Sequence, residues 1–151
     1  TWLAAYPNEE AGVTAEDILA TDFDSEQQIS FWKKAIENPA SPRRIWVAKE
    51  HDHVVGYSQA RKGDSYNECW GLFVLPEYQG KGIGRELMQK VVDWLGDEKP
   101  LVLSVAIYGD KAIELYKRFG FVMTDEPGTA PTLHSGKMIP TIKMVKPANK
   151  T

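Results

Sequence analysis

The chain has 151 residues, of which 42% are hydrophobic and 26% are charged, and this predicts one globular domain, residues 1–151, large enough to bury a core. Its formal net charge of −3 argues against a nucleic-acid partner, because nucleic-acid-binding domains usually carry a basic surface. The single cysteine, Cys69, excludes an internal disulfide framework, and the lack of a secretory signal or of a run of about 20 apolar residues predicts a cytoplasmic protein with no membrane partner.

The first third of the chain has a helical pattern. It begins Thr1-Trp2-Leu3 without a methionine, and we expect further residues, including a first strand, to precede Thr1. Residues 14–17 (TAED) and 25–28 (SEQQ) resemble capping boxes, in which a hydroxyl and the side chain three residues later satisfy free amides at a helix start. Until Asn38-Pro39, apolar residues then recur at helical spacing, at Ile29, Trp32 and Ile36.

From residue 45 the pattern is typical of strands. Residues 45–48 and 54–60 are rich in β-branched and aromatic side chains and flank the polar turn His51-Asp52-His53, which predicts a β-hairpin. A third strand is predicted over 68–75, ending at Pro76. Residues 101–107 are almost all apolar, as in a strand buried on both faces. Two closing strands are predicted over 121–123 and 141–145, with a polar loop over 125–140.

Two amphipathic helices lie between these strands. In the first, which ends at Gly96, apolar residues recur every fourth position, at Ile83, Leu87, Val91 and Leu95. The second is predicted to have Asp110 as its N-cap and to end at Gly120, with an apolar face of Ile113, Tyr116 and Phe119. The order of these elements predicts an α/β fold with a mixed sheet and helices on both faces.

The segment from Leu72 to Arg85 joins a strand to a helix through a glycine-rich turn. Glycines let the backbone approach a ligand closely, and the first N–H groups of a helix form a site for phosphate. The P-loop pattern fails because Lys81 lies between two glycines and Arg85 follows Gly84. The dinucleotide pattern G-x-G-x-x-G also fails, since its third glycine would fall on Arg85 or Leu87.

The same segment resembles the GNAT superfamily of acetyl-CoA-dependent N-acetyltransferases. Its string LFVLPEYQGKGIGRELM (72–88) matches the family's Q/R-x-x-G-x-G/A pattern at Gln79, Gly82 and Gly84, and AIELYKRFGF (112–121) is similar to the family's second signature. The resemblance covers roughly residues 68–122. It implies a mixed, mostly antiparallel central sheet flanked by helices on both faces, and transfer of acetyl from acetyl-CoA to a primary amine by direct attack in a ternary complex.

The resemblance also implies a binding set for acetyl-CoA, in a cleft between the third strand and the strand over 101–107. Backbone amides would hold the pyrophosphate, at Gln79, Gly80, Lys81, Gly82, Ile83, Gly84 and Arg85. The strand edge would pair with the pantetheine arm, at Leu72, Phe73 and Val74. The second signature would add contacts from Asp110, Ala112 and Tyr116. Family members often carry Asn three residues before Ala112, where this chain has Gly109, so Asp110 or a water takes over that contact or it is absent. The alternative interpretation is an ordinary strand-to-helix turn.

Two residues are candidates for the chemistry. Tyr116 aligns with a tyrosine that lies near the thioester sulfur in many family members, where a phenol with a pKa of about 10 can protonate the leaving thiolate. The alternative for Tyr116 is a core residue of its helix. Glu68 matches a position at which some members have a glutamate as general base, and we expect it to share a strand face with Trp70, Leu72 and Val74. The alternative for Glu68 is a solvated glutamate at a strand start.

The sequence also allows predictions about an oxyanion donor, a metal site and the single cysteine. A backbone N–H near Leu72 or Phe73 would stabilise the oxygen of the tetrahedral intermediate. We expect no metal site, because His51, His53 and His134 lack the spacing of a ligand set, and no nucleophilic role for a buried Cys69.

A non-catalytic acyl-CoA-binding or regulatory module remains the alternative function. The amine is open among small amines, polyamines, amino-acid derivatives and peptide or protein amines, and a homodimer is possible because family members often dimerise.

Overall fold

The protein is described from a computed structural model that covers residues 8–14, 16–17, 26–130, 133 and 135–149, without the side chains of Gln28 and Trp32. In this part of the chain the helices are α1 (Glu26–Glu37), α2 (Ile83–Leu95) and α3 (Asp110–Arg118). The strands are β1 (Arg43–Glu50), β2 (His53–Arg61), β3 (Asn67–Val74), β4 (Leu101–Ala106), β5 (Val122–Pro127) and β6 (Thr141–Lys146), and a short 3-10 helix (Pro76–Tyr78) follows β3.

The strands form one six-stranded sheet in the order β1-β2-β3-β4-β6-β5. Four of the described strand pairs are antiparallel, and β3 and β4, which α2 connects, run parallel. The predicted hairpin is β1 and β2, with His51-Asp52 at its turn. The predicted mixed, mostly antiparallel sheet is therefore confirmed.

Helices cover both faces of this sheet. Trp46 of β1 packs edge-on against Trp94 of α2, with ring centroids 5.7 Å apart. Arg43, three residues earlier and hence on the opposite face, lies over the Phe31 ring of α1, 5.2 Å from its centroid. We call these sides the α2 face and the α1 face. The prediction of helices on both faces is confirmed.

The main core lies on the α2 face, between the sheet and helices α2 and α3. Its members are largely buried and come from elements distant in the chain: Met88, Val91, Tyr116, Phe121 and Met144, among others. Gly56 of β2 lets α2 approach, because a Cβ there would stand 2.8 Å from the Phe73 carbonyl oxygen and 3.4 Å from a Leu87 methyl. The buried Ser58 hydroxyl donates to the Leu87 carbonyl at 3.4 Å. These contacts fix α2 against β2 and β3.

Three details differ from the sequence predictions. Strand β4 is not buried on both faces but alternates buried and half-buried residues, because one of its faces borders a cavity. Asp110 is the first residue of α3 rather than its cap: the N-cap is Gly109, which makes no side-chain cap. Strand β5 extends to Pro127, so the loop that follows is shorter than expected.

A second, smaller cluster joins the start of the described chain to the late loop. Val13, Leu133 and Ile139 are buried together. The capping box at 14–17 is confirmed, since the Asp17 amide donates to Thr14 Oγ1 at 3.1 Å and the Thr14 amide donates to Asp17 Oδ2 at 2.9 Å. The other predicted box, at 25–28, and the expectation of a strand before Thr1 lie outside the described residues. None of the described helices has the length and hydropathy that a bilayer crossing requires.

Candidate active site

The parallel pairing of β3 and β4 is short, and this opens a large cavity between the two strands. Only Asn67, Glu68 and Cys69 of β3 have partners on β4, the last pair being Cys69 and Leu103. Both strands continue for several residues beyond this pair, so they diverge. A cavity of about 1680 Å³ occupies the gap, lined by residues of both strands, including Leu72, Phe73, Val74, Ser104, Val105 and Ala106. The cleft lies where the sequence analysis placed it.

Along β3, the main-chain amide and carbonyl of every second residue face this gap. The Leu75 amide donates to the Val55 carbonyl at 2.9 Å, which makes these two residues a hydrogen-bonded pair. Because such pairs alternate in an antiparallel ladder, Phe73 directs its main-chain groups to β2, and Leu72 and Val74 direct theirs to the cleft. The Val74 carbonyl accepts a hydrogen bond from Gln79 Nε2 at 3.0 Å. Of the two donors considered from the sequence, Leu72 therefore faces the gap.

A β-bulge at Trp70 changes which side chains of β3 share a face. Gln59 pairs with Gly71, but the next residue, Ala60, pairs with Cys69, so Trp70 is the extra residue. Cys69 and Leu72 consequently both pack on the core of the α2 face, whereas Glu68 lies on the α1 face. The prediction that Glu68 shares a face with Leu72 and Val74 is wrong, because one inserted residue reverses the alternation. Its neighbour Trp70 does contact it.

The turn between β3 and α2 owes its shape to two glycines. Gly80 and Gly82 have φ of 77° and 86°, in the left-handed region that side chains disfavour. Gly82 is the N-cap of α2, and no side-chain cap hydrogen bond is made to it by the described residues. The Glu86 amide donates to the Gly82 carbonyl at 3.1 Å. The amides of residues 82–85 thus precede the helical ladder, at the positive end of the helix dipole.

This turn adjoins the cleft. Gln79 lines the cavity, and Lys81 Nζ lies 5.1 Å from the centre of the Tyr78 ring. The first turn of α2 packs on the end of β3, since a Cβ on Gly84 would stand 3.8 Å from a Val74 methyl. The predicted residues Gly80, Lys81, Gly82, Ile83, Gly84 and Arg85 are not on the cavity wall itself but form the segment directly beside it.

The opposite wall of the cleft begins with α3. Gly109, Asp110, Ala112 and Tyr116 all line the cavity. Tyr116 is 7% exposed, and its ring meets Phe121 edge-on at 6.0 Å, so it is at once a core residue and a wall residue. A Cβ on Gly109 would stand 3.2 Å from the Ala106 carbonyl oxygen, which leaves little room for the asparagine expected there by resemblance.

On the α1 face Glu68 is held in an ion pair. Its Oε2 accepts hydrogen bonds from Arg61 Nε and from Trp70 Nε1, each at 2.7 Å. Burial opposes ionisation of this carboxyl, but the hydrogen bonds and the charges of Arg61 and Arg43 outweigh it and lower its pKa. Arg43 itself lies over the Trp70 ring at 4.5 Å. Glu68 is therefore an ionised but weakened base.

Cys69 and the histidines contribute no reactive group that the described structure reveals. Burial raises the pKa of the Cys69 thiol to about 12, so it stays protonated at neutral pH. His51 takes the hairpin turn with φ of 54°, and His134 lies outside the described residues. Within the portion of the chain that the structure covers, no three His, Cys, Asp or Glu side chains are grouped to hold a metal ion.

Some cavity residues carry no signal in the sequence. Tyr57 and Gln59 of β2 and Ser104 of β4 line the cavity, as does Thr129 of the late loop, whose amide donates to Ser104 Oγ at 2.9 Å. Their strands are recognisable from the sequence, but their place at the cavity depends on the register and on the bulge.

A family model supplies the identification. The model described as "Acetyltransferase (GNAT) family" matches residues 13–121, a span that includes the divergent strands, the glycine turn and α3. The chain belongs to the GNAT acetyltransferase family. The predicted resemblance is confirmed.

The GNAT relatives are distant. The chain is 29% identical over 99 residues to the uncharacterized N-acetyltransferase ycf52 of Gracilaria tenuistipitata var. liui, covering 64% of this chain and 53% of that protein. The chain spans about half the length of the curated relatives it matches. Among solved structures, the ribosomal-protein-S18-alanine N-acetyltransferase of Escherichia coli superposes with a TM-score of 0.62 at 20% identity, covering 88% of this chain and 84% of that one. PaiA N-acetyltransferase of Thermoplasma acidophilum, solved in complex with coenzyme A, gives 0.56 at 18% identity, covering 83% and 80%. These structures support the fold.

Proposed function

We propose that this chain transfers the acetyl group of acetyl-CoA to a primary amine by direct attack in a ternary complex. Family membership supports acetyl transfer. The observation that carries the proposal is that the open edge of β3 and Tyr116 line one cavity and that the glycine turn adjoins it at Gln79. Holding two reactants in one cavity makes their reaction effectively unimolecular, which removes much of the barrier.

The cofactor site follows from main-chain groups. The amides at residues 82–85, which no described side chain caps, suit the pyrophosphate of coenzyme A. The pantetheine arm carries amide groups, and the cleft-facing main chain of Leu72 and Val74 can pair with them as a neighbouring strand would. The cavity of about 1680 Å³ is larger than a typical small-molecule pocket. A structure of the same fold was solved in complex with coenzyme A, which supports coenzyme A as the ligand.

The chemistry is assigned to groups at the point where β3 and β4 part. The Leu72 amide would donate to the developing oxyanion, an interaction worth about 3 kcal/mol in other enzymes. Tyr116, on the α2 face, would donate its phenolic proton to the leaving thiolate. Glu68, on the α1 face, is the candidate base that accepts the proton of the amine, directly or through water. Its hydrogen bonds to Arg61 and Trp70 weaken it in this role.

The experiment has two stages. Calorimetry tests binding of coenzyme A and acetyl-CoA, and release of free thiol from acetyl-CoA is then followed with a panel of amines: benzylamine, L-phenylalaninamide, spermidine and a short peptide. We expect binding, and amine-dependent thiol release above the amine-free blank. Binding without release under any amine would favour the non-catalytic module, and no binding would reject the cofactor site.

A further inference from the structure

The guanidinium of Arg43 contacts two aromatic rings on the α1 face. Its Cζ lies 5.2 Å from the centre of the Phe31 ring and 4.5 Å from the centre of the Trp70 ring. A guanidinium stacks on a ring through its flat face, whereas its N–H groups point outward in its own plane. The two rings therefore hold Arg43 in place without using its hydrogen-bond donors.

These donors have no acceptor in the described part of the chain. There the Arg43 side chain makes no hydrogen bond and no ion pair, because the carboxylate of Glu68 is bonded instead to Arg61 and Trp70, each at 2.7 Å. Burial and the charge of Arg61 lower the pKa of Arg43, and the charge of Glu68 only partly opposes them. With one carboxylate between two guanidiniums, this site has a surplus positive charge.

The site is accessible and lies at the edge of the cavity. Trp70 lines the cavity and is 51% exposed, and Arg43 is half-buried. Ile45, two residues after Arg43 and hence on the same face of β1, also lines the cavity. Arg43 is not itself on the cavity wall, but two of its neighbours are. An anionic group bound to Arg43 would thus lie at the α1 side of the cavity.

The position of Arg43 relative to Leu72 sets the length of such a ligand. Trp70 precedes Leu72, the proposed oxyanion donor, by two residues, which span roughly 7 Å of strand. The Arg43 guanidinium lies a further 4.5 Å from the Trp70 ring. In an α-amino acid only one carbon separates the nitrogen from the carboxylate, which is too short to reach both places. The anionic group must be several bonds from the reacting nitrogen.

We propose that Arg43 binds a carboxylate of the acyl acceptor, and that the acceptor is a primary amine whose carboxylate lies several bonds from its nitrogen. The proposal rests on the acetyltransferase function proposed above. The edge of one guanidinium matches the two oxygens of one carboxylate, and one surplus positive charge suits a monoanion. The same charge repels a polyamine. The carboxylate belongs either to a free amino acid with a terminal amine or to a peptide, and the experiment compares these two sources.

The test compares pairs of amines that differ only in a carboxylate. Thiol release from acetyl-CoA is measured with ε-aminocaproate and ε-aminocaproamide, and with the α-amides of glycylglutamic acid and glycylglutamine. Glycine and spermidine complete the panel. Arg43→Met removes the charge but keeps an apolar stem for the rings. Arg44→Met is the matched control, because Arg44 lies over the Trp94 ring at 5.1 Å on the opposite face of the sheet.

In the wild type we expect kcat/KM to be about tenfold or more higher for the carboxylate than for the carboxamide in at least one pair, as for a hydrogen bond to a charged group. Arg43→Met should lose this preference, mainly through KM, and Arg44→Met should keep it. Arg43→Lys, which keeps the charge but not the fork, should keep part of it. Because Arg43 also affects the pKa of Glu68, kcat can change in its variants for every amine, but the ratio within a pair is independent of this change.

The outcomes separate this proposal from the function on which it rests. A preference in the ε-aminocaproate pair alone indicates a free acid, and a preference in the dipeptide pair alone indicates a peptide. The proposal is overturned if neither pair shows a preference, if Arg43→Met keeps it, or if glycine or spermidine has the highest kcat/KM. If thiol is released without a carboxylate preference, only this inference fails. If no amine releases thiol, the acetyltransferase function fails with it.

Discussion

The two sides of the cavity use different parts of the polypeptide. In the function proposed above, the groups on the cofactor side are main-chain amides and carbonyls at Leu72, Val74 and residues 82–85. On the α1 face the proposed group is a side chain, the carboxylate of Glu68. Main-chain groups are the same for every residue, so the cofactor side tolerates substitutions that keep its backbone shape. A role of the α1 face would depend on side-chain identity, and we therefore expect substitutions there to alter amine turnover without loss of the cofactor.

The largest effect is expected at Tyr116, which lines the cavity from the α2 face. Tyr116→Phe removes the proton donor but keeps the ring that packs against Phe121. If it is the general acid, kcat should fall about 100-fold with little change in acetyl-CoA affinity. Steady-state kinetics and calorimetry measure the two quantities. Tyr78→Phe, at a half-buried position of the 3-10 helix, is the control. An unchanged kcat in a folded Tyr116→Phe protein would leave Tyr116 with a packing role alone.

A backbone change tests the cofactor side. Gly82→Ala places a side chain at φ of 86°, which costs about 1–2 kcal/mol and distorts the turn. Gly96→Ala imposes a larger strain at the other end of α2, where φ is 73° and ψ is −170°, a backbone region almost restricted to glycine. Both variants should lose several degrees of Tm, but only Gly82→Ala should weaken coenzyme A binding, by tenfold or more in calorimetry. Equal affinities for the two variants would contradict the assignment of the amides at 82–85.

Substitutions in the Arg61–Glu68 ion pair test the base role proposed for Glu68 on the α1 face. Arg61→Gln removes the main partner of Glu68, so the pKa of that carboxyl should rise toward its usual value of about 4.3. If Glu68 is the base, the acid limb of the kcat/KM profile should move to higher pH in this variant, and Glu68→Gln should abolish that limb. If Glu68→Gln keeps the wild-type pH profile of kcat/KM, then Glu68 is not the base and has a structural role alone.

The Arg61–Glu68 ion pair should also contribute to the free energy of unfolding in a defined pH window. Because the folded-state pKa of Glu68 is lowered, its stabilisation is present above the unfolded-state pKa and is lost as the pH falls through the folded-state pKa. The pair is partly exposed, so the difference between wild type and Arg61→Gln should be about 1 kcal/mol or less near pH 7. Urea titrations across about pH 3–7 cover the reference pKa of glutamate. They should show that the difference in free energy of unfolding between wild type and Arg61→Gln becomes smaller as the pH falls.

The smallest effect concerns the loop that borders the α1 face. Asp17 accepts hydrogen bonds from Thr14 and from Lys137 Nζ, the latter at 3.1 Å. Its backbone bond to Thr14, the Thr14 hydroxyl and then Lys137 lower its pKa. Asp17→Asn should lower Tm slightly near neutral pH, and this difference should begin to shrink below about pH 3.9, the unfolded-state pKa, and be lost as the pH falls through the lower folded-state pKa. A Tm difference that is independent of pH would show that the charge has no part in holding the loop.

The sequence alone determined much of this protein. The repeat of apolar residues in α2, the β-branched hairpin and the two signatures around Gln79 and Tyr116 predicted the sheet, the helices and the cleft. These features are local: a helix start, a glycine turn and an amphipathic face each depend on residues within a few positions of one another.

The tertiary structure decided how the strands align. The extra residue at Trp70 moved Glu68 to the face opposite Leu72, and the register placed Gln59 beside Gly71. Neither follows from alternation along one strand, because a shift of one residue reverses every side chain after it. Strand pairing is a contact between distant segments, so the α1 face of the cavity became visible only in the folded chain.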